Sequence, residues 1–215
     1  MIRMTVSFWR AIACAIFASA ACAGHASASF TTAMYVPCCS TEDIGSFRAE
    51  LTYSYSGGTS ATIMITLSND VDPSLGGYIT AIALSPNGTA GGLSFVSSSS
   101  AAFKNITAPV SAPPYGTFAA GAGLNAGFLG GGNPSNGIAT GSSATFTFTM
   151  TGSSSALSAL DAETALNQTG YGMVVRFRGG EGGWSDKVVG CALPAPGALA
   201  VLGAVGMLST RRRRA

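Results

Sequence analysis

The stretch TFTFTMT at residues 145–151 alternates threonine with a large apolar side chain at every position. Because successive side chains of a β-strand point to opposite faces, this period of two predicts a strand with one apolar and one polar face. The stretch FRAELTYSY at residues 47–55 repeats the pattern, with Phe47, Ala49, Leu51, Tyr53 and Tyr55 on the apolar side. Both stretches predict half-buried strands of an antiparallel sheet.

The same pattern extends along the chain on both sides of these two stretches. The SGGT at residues 56–59 predicts a hairpin loop leading into a partner strand at residues 61–67, because glycine adopts the positive φ that tight loops need. Helix-forming residues are concentrated only at residues 154–167, which predict one short crossover helix. Further strands are expected at residues 78–84, 93–97, 117–120 and 172–178. We expect residues 29–192 to form one all-β domain, an antiparallel β-sandwich of jelly-roll type.

Charge and histidine content exclude several function classes. Residues 29–192 carry five Lys and Arg against nine Asp and Glu, a net charge of −4. This distribution argues against nucleic acid as a partner, which needs clustered bases on the folded body. The one histidine, His25, precedes this body, so histidine-dependent catalysis and zinc sites are not predicted there. No cofactor motif and no metal-ligand spacing are recognised either.

The amino-terminal end has the three parts of a secretory signal peptide. Arg3 and Arg10 accompany a 13-residue apolar run and small residues, with Ala26 and Ala28 at an Ala-x-Ala cleavage site. A retained transmembrane helix would need about 20 apolar residues. We expect signal peptidase to cut after Ala28. The alternative is a lipoprotein signal at Cys22, which lacks the usual apolar residue three positions earlier.

The carboxyl-terminal end combines three features in a fixed order. A Pro-x-Pro turn precedes a short apolar helix at residues 197–210, and four arginines follow it. Such a helix spans only about 21 Å at about 1.5 Å per residue, and the arginines would stay on the cytoplasmic side. The segment thus predicts transient membrane insertion, with a lasting tail anchor as the alternative. The residues of this signal are Pro194, Ala195, Pro196, Gly197, Arg211, Arg212, Arg213 and Arg214.

This order of features over residues 194–215 resembles the PEP-CTERM sorting signal, in a variant with Ala195 in place of the usual glutamate. The resemblance implies processing by exosortase, a membrane-embedded transpeptidase. It also implies a Gram-negative bacterium that makes exopolysaccharide, and a mature protein at the cell surface or in the extracellular biofilm matrix. It implies nothing about the chemistry of the body.

Three cysteines, Cys38, Cys39 and Cys191, remain after removal of the leader. Neighbouring Cys38 and Cys39 have Cα atoms about 3.8 Å apart, which is below the usual disulfide range. In an exported protein we therefore expect a bridge from one of them to Cys191. The sequence leaves open which of the two forms it.

Candidate ligand-binding residues in the body are few. Residues 69–72 (NDVD), and Glu181 with Asp186, offer oxygen ligands for a weak calcium site, although they lack a known loop spacing. Aromatic residues offer a sugar-binding face, with Trp184 as the foremost candidate for glycan contact, but strand packing is the simpler interpretation for Tyr53 and Tyr55. The other aromatic candidates are Tyr78, Tyr115 and Tyr171.

These observations predict a non-enzymatic, exported envelope or matrix protein with a structural or adhesive role. A glycan-binding module is the second hypothesis, with exopolysaccharide as the partner. A secreted glycosidase using two carboxylates is the third, since two such acids can converge only in the fold.

Overall fold

The computed structural model describes residues 29–193, and within them it confirms an all-β, antiparallel architecture with one short helix. The leader with Ala26 and Ala28, and the sorting signal at residues 194–215, lie outside the described residues. The strands are β1 (Ser29–Ser40), β2 (Phe47–Tyr55), β3 (Ser60–Asn69), β4 (Gly76–Leu84), β5 (Gly92–Ser98), β6 (Lys104–Asn105), β7 (Val110–Ser111), β8 (Thr117–Phe118), β9 (Ala120–Gly123), β10 (Ile138–Ala139), β11 (Ser143–Thr151), β12 (Met173–Gly180) and β13 (Ser185–Ala192). The helix α1 spans Ser154–Ser158, and 3₁₀ turns occupy Pro134–Asn136 and Glu181–Gly183.

The strands form two layers that belong to one continuous hydrogen-bonded path. Its order is β5-β11-β3-β2-β1-β13-β12-β4-β9-β6, with β10 beside β4 and a separate β7-β8 hairpin. The first layer consists of β5, β11, β3, β2 and residues 29–35 of β1, and the second layer consists of residues 35–40 of β1 with β13, β12, β4, β9 and β6. Strand β1 joins the layers, because residues 29–35 pair with β2 and residues 35–40 pair with β13. A register shift between Pro37 and Cys39 interrupts the second pairing, and such a bulge bends a strand.

One apolar core fills the space between the layers. The predicted inward face of β2 is confirmed, since Phe47, Ala49, Leu51, Tyr53 and Tyr55 are all buried. Side chains from β12 and β13 join the same cluster as those from β2, β3 and β11. Burial of these alternating positions is the main contribution to stability that the sequence pattern encodes.

The predicted helix at residues 154–167 is much shorter in the structure and ends at Ser158. Beyond it, the Asp161 carboxylate accepts hydrogen bonds from both the backbone N–H and the hydroxyl of Thr164, at 2.9 and 2.7 Å. Such local bonds offer the backbone an alternative to helical pairing. We call residues 153–167 the cover segment, because it lies across one end of the core.

Three buried tyrosines hold the cover segment in place. The hydroxyl of Tyr53 donates to the Leu157 carbonyl oxygen at 2.7 Å, and that of Tyr35 donates to the Ala162 carbonyl at 3.2 Å. The Tyr55 hydroxyl lies 2.6 Å from the Ser154 hydroxyl. Burial raises the pKa of Tyr53 to about 12. These rings therefore pack in the core and are not available to line a sugar-binding face.

Candidate functional site

The structure joins Cys38 to Cys191 by a disulfide, one of the two pairings that the sequence left open. The bond links β1 to β13 over a sequence separation of 153 residues, and Cys39 keeps an exposed thiol beside it. The bulge in β1 separates the two neighbouring cysteines in their pairing with β13. The disulfide therefore fastens the strand that enters the body to the strand that leaves it.

The carboxylate of Asp186 is fully buried at the start of β13 and organises the loop that follows β1. It accepts seven hydrogen bonds of 2.6 to 3.1 Å. Burial alone would raise its pKa, but the hydrogen bonds outweigh that effect and hold the pKa at about 2, below the ordinary 3.8. The donors are the hydroxyls of Ser40 and Thr41 and the backbone N–H groups of Thr41, Glu42, Ile44, Gly45 and Lys187.

This arrangement does not suit the calcium site considered for Glu181 and Asp186. Both oxygens of Asp186 face N–H and O–H donors, whose partial positive charge would repel a cation. In residues 69–72 the oxygens also have other partners: the side-chain oxygen of buried Asn69 accepts from the Val71 N–H at 3.2 Å, and the Asp70 carboxylate lies 3.8 Å from the Arg48 guanidinium. Within residues 29–193, no group of three or more His, Cys, Asp or Glu side chains is placed to hold a metal ion.

Trp184, the candidate for glycan contact, is partly buried against the core. Its indole packs directly over Gly180 and Gly77, where an added Cβ would collide with the ring. The indole N–H donates to the Leu75 carbonyl at 3.1 Å, and its ring lies 6.4 Å from that of Phe177. Trp184 thus serves to close the β12-β13 turn in the structure.

The aromatic residues of the sequence-based hypothesis do not gather on one surface. Tyr53 and Tyr55 face the core, whereas Tyr115 and Tyr171 stack edge to face with ring centroids 5.0 Å apart. The structure therefore provides no single aromatic platform in the described part of the chain.

The outer face of the second layer is covered by the chain itself. Two arginines on β12 hold this covering: Arg176 donates to the carbonyls of Phe128 and Gly130 at 2.9 and 3.1 Å, and Arg178 to that of Gly130 at 3.3 Å. Burial, and then the neighbouring Arg178, lower the pKa of Arg176 to about 10. Below the arginines lies a second apolar cluster, made of Ala81, Ala83, Ile106, Val110, Ala112, Phe118, Phe128 and Val174.

The outer face of the first layer is different, because it presents mainly hydroxyl groups. Met64, near its centre, keeps 42% of its surface exposed, so this face stays open among residues 29–193. We call it the hydroxyl face, and sequence reasoning did not identify it, although the threonines at every second position of residues 145–151 were its signal. Its fourteen hydroxyl residues, of which Thr52 is buried, are Thr32, Thr52, Ser54, Ser60, Thr62, Thr66, Ser68, Ser94, Ser97, Ser143, Thr145, Thr147, Thr149 and Thr151.

Register places these hydroxyls in rows across the strands. Ser54 lies opposite Thr62, Thr62 opposite Thr149, and Thr149 opposite Ser94, with Phe30 of β1 at the end of the row. Neighbouring strands are about 4.8 Å apart, and residues on one face of a strand repeat about every 6.8 Å. The hydroxyl face is therefore a two-dimensional array with a regular repeat.

Comparison with known proteins gives no relative for this chain: no family model, no curated protein and no solved structure matches it. None of the helices in the described residues has both the length and the apolar character needed to cross a membrane.

Proposed function

We propose that this chain is an exported, exosortase-processed protein of the cell envelope or extracellular matrix, with a structural or adhesive rather than an enzymatic role. The leader supports export, and the PEP-CTERM-like sequence at residues 194–215 supports processing by exosortase. The observation that carries the structural role is the disulfide between Cys38 and Cys191. Disulfides persist in the oxidising compartments outside the cytoplasm.

The position of the disulfide suits a body held by its carboxyl-terminal end. Cys191 is the second-last residue of β13, and the chain leaves the body two residues later toward the sorting signal. A force applied at that end would otherwise peel β13 away from its neighbours. With the disulfide, the force passes directly to Cys38 in β1 and spreads across the middle of the strand path.

The use of acidic side chains supports a role other than catalysis. Asp186 is saturated by hydrogen-bond donors, and Asp72 caps its own turn by accepting from the Ser74 N–H at 2.8 Å. The Asp70 carboxylate lies 3.8 Å from the Arg48 guanidinium. These carboxylates fix loops, whereas a glycosidase needs a pair facing one cleft.

Processing in the native host tests the proposal. Mass spectrometry of the mature protein should show Ser29 as the first residue and should lack Arg211 to Arg214. Deleting exosortase should restore the arginines and move the protein from the matrix to the membrane fraction. A protein whose carboxyl end is intact in both strains would be a plain tail-anchored protein, and one retained in the cytoplasm would contradict export altogether.

Glycan binding is the second candidate function, and the hydroxyl face favours it more than Trp184 does. Trp184 is occupied in closing a turn, whereas the hydroxyl face is open and nearly free of charge.

A further inference from the structure

The outer faces of the two layers differ, because one is covered by other segments of the chain and the other is open. The outer face of the second layer lies under residues 106–118 and 126–130, which bury a second apolar cluster against it. The outer face of the first layer, the hydroxyl face, is open among the described residues. An open face with its own composition is a better candidate for an external contact than a face already covered.

The composition of the hydroxyl face is unusual for a surface exposed to water. Residues 29–192 contain fourteen charged side chains, five basic and nine acidic. Only Arg48 and Glu50 lie on this face, both near the start of β2. Solvent-facing strand positions commonly carry charge, which keeps sheets soluble and apart.

Strand propensity alone would explain threonine at these positions, since β-branched residues favour sheets. It does not explain serine, which lacks that preference, at Ser54, Ser68 and Ser94. Within the described residues, the hydroxyl-to-hydroxyl bond found on this face joins Thr66 and Thr145 at 3.2 Å. The array is thus richer in hydroxyls than its own packing requires.

We propose that the hydroxyl face binds a neutral polysaccharide chain; this inference rests on the proposed function, because it identifies the matrix component to which the body adheres. Each hydroxyl both donates and accepts hydrogen bonds, as sugar hydroxyls do. The threonine methyl groups offer apolar contact to the C–H faces of sugar rings. Phe30, 69% exposed at the end of the row that contains Thr62, offers an aromatic face to one ring.

Charge and periodicity both select this class of ligand. The net charge of −4 on residues 29–192 repels an acidic polymer, and the face holds no cluster of bases to attract one. Uncharged hydroxyls also cost less to desolvate than charged groups when a ligand covers them. A regular array suits a repeating ligand, because many weak contacts to one chain add up by effective concentration.

Co-sedimentation of the full exported protein with insoluble neutral glycans tests the assignment. The probes are microcrystalline cellulose, curdlan and insoluble mannan, with calcium alginate as the acidic polymer. The test variant combines Thr62→Val with Thr149→Val, which keeps shape and strand propensity but removes two opposed hydroxyls. The matched control combines Thr107→Val with Thr117→Val, two exposed threonines outside the face.

We expect the wild type and the control variant to bind at least one neutral glycan and not to bind alginate. The test variant should bind the same neutral glycan at least tenfold more weakly. If the valine variant aggregates, Thr32→Lys with Thr147→Lys gives a soluble substitute with the same expected loss. A valine or lysine variant that binds within twofold of wild type overturns the assignment. So does binding to alginate only, to none of the three neutral glycans, or through the hydroxyl face to a second copy of the chain.

The proposed function fails by a different measurement. The mature protein could reach the host matrix and yet bind glycans equally well with and without these hydroxyls. That result would contradict the glycan site and leave the proposed structural role in place. A protein that is never exported contradicts both.

Discussion

Replacing Asp186 by asparagine should strongly disturb the hydrogen bonding of the loop after β1. The carboxylate is fully buried and accepts seven hydrogen bonds, which fix the loop at residues 41–45 between β1 and β2. An asparagine amide would place a donor where one acceptor oxygen now stands. On the Oδ2 side, the N–H groups of Ile44 and Gly45 would lose their partner.

The size of the effect can be estimated in two ways, which are not added because both describe the same hydrogen bonds. The pKa of about 2, against an ordinary 3.8, corresponds to about 2 kcal/mol of stability at neutral pH. Each buried N–H left without an acceptor costs about 1–3 kcal/mol. We therefore expect Asp186→Asn to lower the free energy of unfolding by about 2 kcal/mol or more, and the melting temperature by about 4 °C or more.

The pH dependence gives a sharper test than the loss at one pH. Because the pKa of Asp186 is lower in the folded state, its stabilisation is present above pH 4 and is lost as the pH falls toward 2. Urea unfolding at several pH values should show the wild type and Asp186→Asn converging as the pH falls through this window.

The matched control is Asp43→Asn in the same loop. Asp43 is exposed and has a φ of 56°, a conformation that asparagine also tolerates. This variant should stay within about 0.5 kcal/mol of wild type, as surface substitutions usually do. A difference between Asp186→Asn and wild type that is below 1 kcal/mol, or that does not shrink toward pH 2, would refute the reasoning.

Three further substitutions, two of them paired with a control substitution, test the disulfide, the cover segment and the closed turn. Cys191→Ser should lower the free energy of unfolding by up to about 5 kcal/mol, because it opens a long covalent loop. The control Cys39→Ser should leave the stability unchanged. It should also abolish maleimide labelling of the oxidised protein, because it removes the free thiol. Tyr53→Phe should lower the free energy of unfolding by about 1 kcal/mol in denaturant unfolding. The wild type should lose stability between pH 10 and 12, because the pKa of the phenol is raised only in the folded state, and the variant should lose less over this range. Gly180→Ala should cost at least about 2 kcal/mol in thermal unfolding because its methyl would collide with the indole above it, while Gly88→Ala, with open space around it, should change little.

The sequence predicted most of the long strands, including β4, β5 and β12, and missed β1 and β13. Strands β2, β3 and β11 have one core face throughout, so their pattern of period two was sufficient, and each begins and ends within two residues of the predicted limits. Strand β1 has no such pattern, because its two halves lie in different layers and the second half carries a bulge. Strand β13 was missed for a related reason: Asp186 faces inward there, and a charge at a core position breaks the pattern.

The candidate site shows the same division. The low charge and the two possible cysteine pairings could be stated from residue types alone, and the export route could be proposed from them. Trp184 was singled out because of its chemistry, yet its role depends on Gly77 and Gly180, two glycines of different strands that leave room for the indole. The repeated threonines of residues 145–151 indicate one strand of the hydroxyl face. The extent of the face depends on four other strands, β1, β2, β3 and β5, which lie in the same layer as β11.

What the sequence by itself determined is local: the period of each regular strand, the glycine turns and the absence of histidine from the body. These follow from single residues and their neighbours, because alternation and backbone freedom are short-range properties. What only the tertiary structure decided is which distant residues meet. Cys38 rather than Cys39 reaches Cys191, Asp186 meets the loop after β1, and one face stays open while the other is covered. These outcomes depend on strand order and register, which arise from the packing of the whole core rather than from any one stretch.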